Sequence, residues 1–143
     1  MSEQYMVVPP EGGRARRMDA PVVRLPEPFS GPQSIDRLPD VVNISTYAGD
    51  DLSFALVVLN YDGSEPDLSA AQVRAQIRQT PAAQQIAGSF AVSAEENLIY
   101  LHLLGSVSQD LPGQAVWDCE LTYEGRVTTL VAGTVRTTPD VTR

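Results

Sequence analysis

The stretch "WDCELTYEGRVTTL", residues 117–130, decides the reading of the fold. As a β-strand it sends Trp117, Cys119, Leu121 and Tyr123 to one face and Asp118, Glu120 and Thr122 to the other, because successive side chains alternate. An aspartate, the chain's only cysteine and a glutamate stand side by side in it, yet the alternation separates the thiol from both carboxylates. The "YEGR" junction predicts a tight hairpin in which Gly125 supplies a backbone conformation that other residues avoid. An apolar face, a polar face and a short turn together describe an antiparallel pair with one side on a core.

Outward from this hairpin, the chain after residue 40 is a series of short runs rich in Val, Leu, Ile, Thr and Tyr, at the spacing of an all-β sandwich. Seven strands are predicted: 41–47, 51–60, 71–79, 88–94, 97–104, 115–123 and 127–137. The segments between them carry the Gly, Pro, Asp and Ser of turns. In "QVRAQIR" (72–78), Val73, Ala75 and Ile77 face one way and Arg74, Gln76 and Arg78 the other, so one side is core and the other is wet or at an interface. Ala and Gln would favour a helix over 67–86, but Pro81 interrupts it. "GSVSQDL" (105–111) has room for a single helical turn.

The first forty residues differ in kind. Seven of the eleven prolines lie there: Pro9, Pro10, Pro21, Pro26, Pro28, Pro32 and Pro39. Proline removes a backbone donor and holds its predecessor extended, so "APVVRLPEPFSGPQSIDRLPD" (20–40) reads as an arm with no regular ladder. This divides the chain into an extended N-terminal arm, 1–40, and a β-sandwich domain, 41–143. Tyr5, Met6, Val7, Val8, Val22, Val23, Leu25, Phe29, Ile35 and Leu38 punctuate the arm. Ordering each residue costs about 1–2 kcal/mol of backbone entropy, so these side chains are read as anchors seeking a surface, on the domain or on neighbouring chains.

Composition narrows the function. A formal charge of −8 argues against sequence-independent binding to nucleic acid or to an anionic membrane, which call for a basic patch. All ten cations are arginines. One cysteine makes no internal disulfide, and no segment reads as a signal peptide or a membrane span, so a soluble cytosolic product is expected. His102, mid-strand in "IYLHLL", is expected on an outer face, and Cys119 is expected as a small buried hydrophobe. The acids of "GDD" (49–51) and "YDGSEPD" (61–67) do not follow a calcium-loop spacing and read as turn formers. With no phosphate-cradling loop, nucleophile elbow or zinc pattern, neither an enzyme nor a cofactor or metal site is expected.

The order "GDDLSFALVVLNYDGSEPDLSAAQVRAQIR", "NLIYLHL", "AVWDCELTYEGRVTTLVAGTVRTTPDVTR" resembles the small immunoglobulin-like β-sandwich modules of tailed-bacteriophage structural proteins. The matching positions are Gly49, Asp50, Asp62, Gly63, Asp67, Leu68, Ile77, Arg78, Trp117, Asp118, Gly133, Asp140, Val141, Thr142 and Arg143. The resemblance implies a seven-stranded immunoglobulin-like antiparallel sandwich and a virion structural or accessory role, with the protein made in the host bacterial cytoplasm. It implies major capsid or tail proteins as partners, several copies in a symmetric assembly, and no catalytic residue. A carbohydrate- or receptor-binding module of a tail or baseplate is the alternative, with Trp117, Tyr100 and Tyr123 as stacking platforms.

Overall fold

Two sheets close face to face over the apolar side chains of alternating strands. The computed structural model describes residues 5–7, 16–18, 20–26 and 38–142. In chain order the elements are β1 (Tyr5–Val7), β2 (Arg16–Met18), β3 (Val22–Arg24), β4 (Asp40–Val41), β5 (Ile44–Tyr47) and β6 (Leu52–Leu59). They continue with β7 (Gln72–Arg78), β8 (Gly88–Ser89), β9 (Ala91–Glu95), β10 (Leu98–Leu103), the single turn α1 (Gly105–Ser108), β11 (Gln114–Tyr123) and β12 (Arg126–Thr138). β1 and β2 pair antiparallel as a two-stranded ladder.

The first sheet of the sandwich runs β3-β6-β10-β9, and the second runs β4-β12-β11-β7-β8 with β5 also on β12. The neighbour order β3-β6-β10-β9 against β12-β11-β7 follows the ABED and GFC order of an immunoglobulin-like sandwich, with the first strand reversed in direction. Two features of the expected fold are corrected. Among the described residues the sandwich has four strands in one sheet and six in the other, because 41–47 and 88–94 each divide in two and β3 is added. It is also mixed rather than antiparallel, since β3 runs parallel to β6 and both β4 and β5 run parallel to β12.

The β11–β12 hairpin forms at "YEGR", with Glu124 (φ 51°) and Gly125 (φ 75°) both left-handed. A two-residue turn with positive φ at both positions matches the twist of the strands it joins. Beyond it, the register shifts between Cys119 and Glu120: Cys119 pairs with Val131 and Glu120 with Thr129, so Leu130 is the extra residue of a bulge. Leu130 and Val131 are therefore both buried, and the bulge switches which parity of β12 faces the core. Inward-facing Trp117, Cys119 and Leu121 share one core with Leu56, Leu101 and Leu103 of the first sheet and Ile77 and Val135 of their own. Trp117 also stands in an aromatic group with Phe54 and Phe90, at ring-centroid distances of 5.8 and 5.2 Å, which joins the two sheets at one end of the core.

The break between β4 and β5 lies directly on β12. Trp117 Nε1 donates to the Val42 carbonyl at 2.8 Å, and Asn43 Oδ1 accepts from the Thr134 backbone N–H at 3.0 Å and its hydroxyl at 3.1 Å. Asn43 thus supplies from a side chain the acceptor that the interrupted ladder lacks. The chain can come this close only because residue 133 has no side chain: a Cβ there would lie 2.0 Å from the Val42 carbonyl oxygen. Replacing Gly133 with Ala is expected to cost about 3 kcal/mol or more in urea unfolding, against less than about 0.5 kcal/mol for Thr129→Ala on the exposed side of the same strand. Equal effects would show that Val42 does not cross β12 at this point.

Candidate functional site

The residues singled out in the N-terminal arm fall into separate places. Val22, Val23 and Leu25 belong to the sandwich: Val22 pairs with Val57, Val23 with Val58 and Arg24 with Leu59. The reading of this segment as an arm without a ladder is corrected here. Val57 N–H donates to the Pro21 carbonyl and Leu25 N–H to the Leu59 carbonyl, each at 2.8 Å. Pro21 and Pro26 flank the strand and bound it without interrupting it, since a proline is tolerated at the start or beyond the end of an edge strand. Val23 is 2% exposed in the inter-sheet core, with Leu25 packed beside it. Tyr5, Met6 and Val7 form β1, Leu38 is 83% exposed just before β4, and Val8, Phe29 and Ile35 lie outside the described residues.

The titratable groups are arranged structurally. Cys119 is fully buried, and burial, with Asp118 and Glu120 adding to it, pushes its thiol up to about 12, where it holds its proton and is not a nucleophile at neutral pH. His102 does face outward from the first sheet and shares a hydrogen bond of 2.9 Å between Nδ1 and Ser53 Oγ across the β6–β10 pair. Asp51 Oδ1 lies 3.8 Å from His102 Nε2, beyond hydrogen-bonding range, and already accepts from the Gly105 N–H. This Ser53–His102–Asp51 grouping brings together residues that the sequence separates by up to 51 positions, so only strand register reveals it. Its geometry fastens the β5–β6 turn to the start of α1. Ser108 completes that joint, its hydroxyl donating to the Asp50 carbonyl at 2.9 Å and accepting from Gly49 N–H at 3.0 Å.

The acids of 61–67 close their own turns: Asp62 accepts from the Ser64 N–H and hydroxyl, and Asp67 from the Ser69 N–H. These bonds hold both carboxyls below the ordinary carboxylate value. Among the described residues, no three His, Cys, Asp or Glu side chains come together as a metal-binding group. Trp117, 3% exposed, cannot serve as a sugar-stacking platform.

The outward face of the second sheet carries the charges. Arg74 and Glu120 pair at 2.9 Å, and Arg78 Nη1 donates to the carbonyls of Ala83 at 3.0 Å and Gln84 at 2.9 Å, which ties the 80–86 loop to β7. Asp118 lies in the same face, its carboxyl raised by burial first and by Glu120 second, with Arg78 and Arg74 opposing. At the edge, Val41 of β4 is 74% exposed beside Ala132 of β12, and Leu38, just before β4, is exposed as well.

No protein-family model matches the chain, and no curated protein sequence matches it. Solved structures do. The M1 domain from titin is similar at 12% identity and a TM-score of 0.39, over 76% of this chain and 98% of that one. The extracellular fragment of novel immune-type receptor 11 from Ictalurus punctatus, including its stalk region, is similar at 10% identity and a TM-score of 0.33, over 76% and 90%.

Two substitutions test this placement. Val23→Ala is expected to cost about 2 kcal/mol in urea unfolding, the scale of a truncated core side chain; a cost near zero would mean that β3 is not part of the core. Asp118→Asn is expected to stabilise the protein by a few tenths of a kcal/mol at neutral pH, a small effect because the group is largely exposed. A carboxyl raised in the folded state binds its proton more tightly there than in the unfolded chain, so wild-type stability recovers as pH falls through the raised value. The advantage of Asn should vanish below the ordinary carboxylate range; an advantage that persists there would point to a cause other than charge.

Proposed function

We propose that the protein is a non-catalytic structural or accessory component of a tailed-phage virion. In this reading it joins neighbouring capsid or tail subunits through the segment that leaves β3 and returns to the sandwich at β4, and presents an acidic β-domain outward. The phage assignment rests on the order of motifs set out above. The observation that supports the binding role is the exposure of Val41, 74%, in a two-residue edge strand and of Leu38, 83%, just before it. Edge strands expose unpaired backbone groups, and natural proteins guard them with charge, proline or a cover. Here a proline, Pro39, and an aspartate, Asp40, stand between two large apolar side chains. Burying both on a partner would contribute about 1.5–3 kcal/mol each.

The division of the earlier anchors follows from the fold. Val22, Val23 and Leu25 are occupied within the chain. Leu38 and Val41 are available, with Phe29 and Ile35 in the connecting sequence. The sandwich supplies the solubility such a component needs: after residue 40, five arginines against twelve acids give a net charge of −7. A glycan-binding role is less well supported, because its best platform, Trp117, is in the core.

Incorporation into particles tests the proposal. Full-length chains carrying Leu38→Asp and Val41→Asp should keep the wild-type unfolding midpoint, since both sites are exposed, but be lost from purified virions. Incorporation at the wild-type level would remove this edge from the binding surface. If the wild-type protein itself is missing from intact particles, the virion reading fails.

A further inference from the structure

The first sheet has an apolar outer face as well as an apolar inner one. Along β6, Leu56 and Val58 enter the inter-sheet core, whereas Ala55 and Val57 form a separate cluster with Ala20, packed by Val22, Leu98 and Tyr100. Alternation accounts for the split: β10 likewise sends Ile99 and Leu101 inward and Leu98 and Tyr100 outward. On the outer side Ala55 is 1% exposed, Val57 0% and Ala20 4%. In the ladder Val22 and Leu98 flank Val57, and Tyr100 flanks Ala55. Such lateral neighbours stand beside a side chain and do not roof it, so a face sealed this completely has something lying on it. Tyr100 carries the same mark, its phenol raised above the ordinary value by burial first and by Glu95 and Glu96 after that.

We infer that the outer face of the first sheet is a docking surface for the chain's own N-terminal hairpin, Tyr5–Val7 paired with Arg16–Met18. Connectivity selects this occupant. β2 ends at Met18, and Ala20, two residues on, is already a buried member of the outer cluster. A segment tethered that closely is at high effective concentration and outcompetes a second copy or a foreign strand. The composition fits as well, since the hairpin strands read Tyr-Met-Val and Arg-Arg-Met, a mix of apolar and basic residues suited to an apolar face on a domain of net −7. The sandwich then has a third layer, and β6 is enclosed on both faces. This surface lies on a different sheet from the β4 edge and is independent of where the protein assembles.

Thiol labelling tests the inference on the full chain. Ala55→Cys places a reporter beneath the proposed cover, and Leu98→Cys gives a second if the first disturbs folding. The native Cys119 does not interfere, being 0% exposed. With a maleimide, the reporter should react at least about tenfold more slowly than a thiol on the open surface, at every protein concentration. Adding Val7→Asp and Met18→Asp to the hairpin should raise its rate by about the same factor while the unfolding midpoint still reports a folded sandwich. A reporter that labels freely in the parent chain, or whose rate ignores the hairpin substitutions, would overturn the inference. Protection that disappears on dilution would assign the cover to a second copy and overturn it equally.

Discussion

Everything in this sandwich is arranged around strand β6, which is enclosed on both edges. β10 pairs with it along Leu52–Val57, and β3 takes the other edge along Val57–Leu59. From Ala55 to Leu59 every residue of β6 is buried, whichever face it points to. A strand in that position cannot leave a backbone group without a partner, because water does not reach it. The segment 21–25 therefore matters out of proportion to its length: the Pro21 carbonyl accepts from the Val57 N–H, the Leu25 N–H donates to the Leu59 carbonyl, and Val23 inserts between the sheets. The N-terminal segment is part of the domain at this point.

A second constraint acts on the opposite edge. β12 accepts β4 and β5 as parallel neighbours, but the strand breaks at Val42 and Asn43, and the break is held by Trp117, Asn43 and the absence of a side chain at Gly133. The two parallel edge additions, β3 on one sheet and β4–β5 on the other, are supplied by the same stretch of chain before and after residues 27–37. That stretch fastens both sheets from outside. Leu38, Val41 and Tyr47 are its exposed large apolar positions among the described residues.

Much of this was legible in the residues. Alternation in "QVRAQIR" and "WDCELTY" gave the inward and outward faces of β7 and β11, Gly125 marked the hairpin, and the single turn at Gly105–Ser108 lies where "GSVSQDL" allowed one. β3 was hidden because a three-residue parallel strand has no turn signal of its own and is bracketed by prolines, which locally argue for an unpaired arm. The run "ALVVL" in β6, five apolar residues in a row, is the pattern of a strand covered on both faces rather than one; it bears on the outer face of the first sheet and does not mark an edge partner such as β3. The bulge at Leu130 and the contact of Val42 with Gly133 were not legible, since each depends on a partner strand that local sequence does not identify. The same holds for the meeting of Ser53, His102 and Asp51, which is a consequence of register between β6 and β10.

Amide hydrogen exchange at Val57 and Leu25, followed residue by residue by NMR in the full-length protein, tests most directly whether β3 belongs to the sandwich. Val57 N–H donates to Pro21 and Leu25 N–H to Leu59, so both amides report the β3–β6 ladder and nothing else. Both should be protected by several kcal/mol, comparable with the central β10 amide of Leu101, because opening them requires Val23 to leave the core. Exchange at the rate of an open surface loop, with Leu101 still protected, would contradict this and return residues 20–26 to an arm outside the fold.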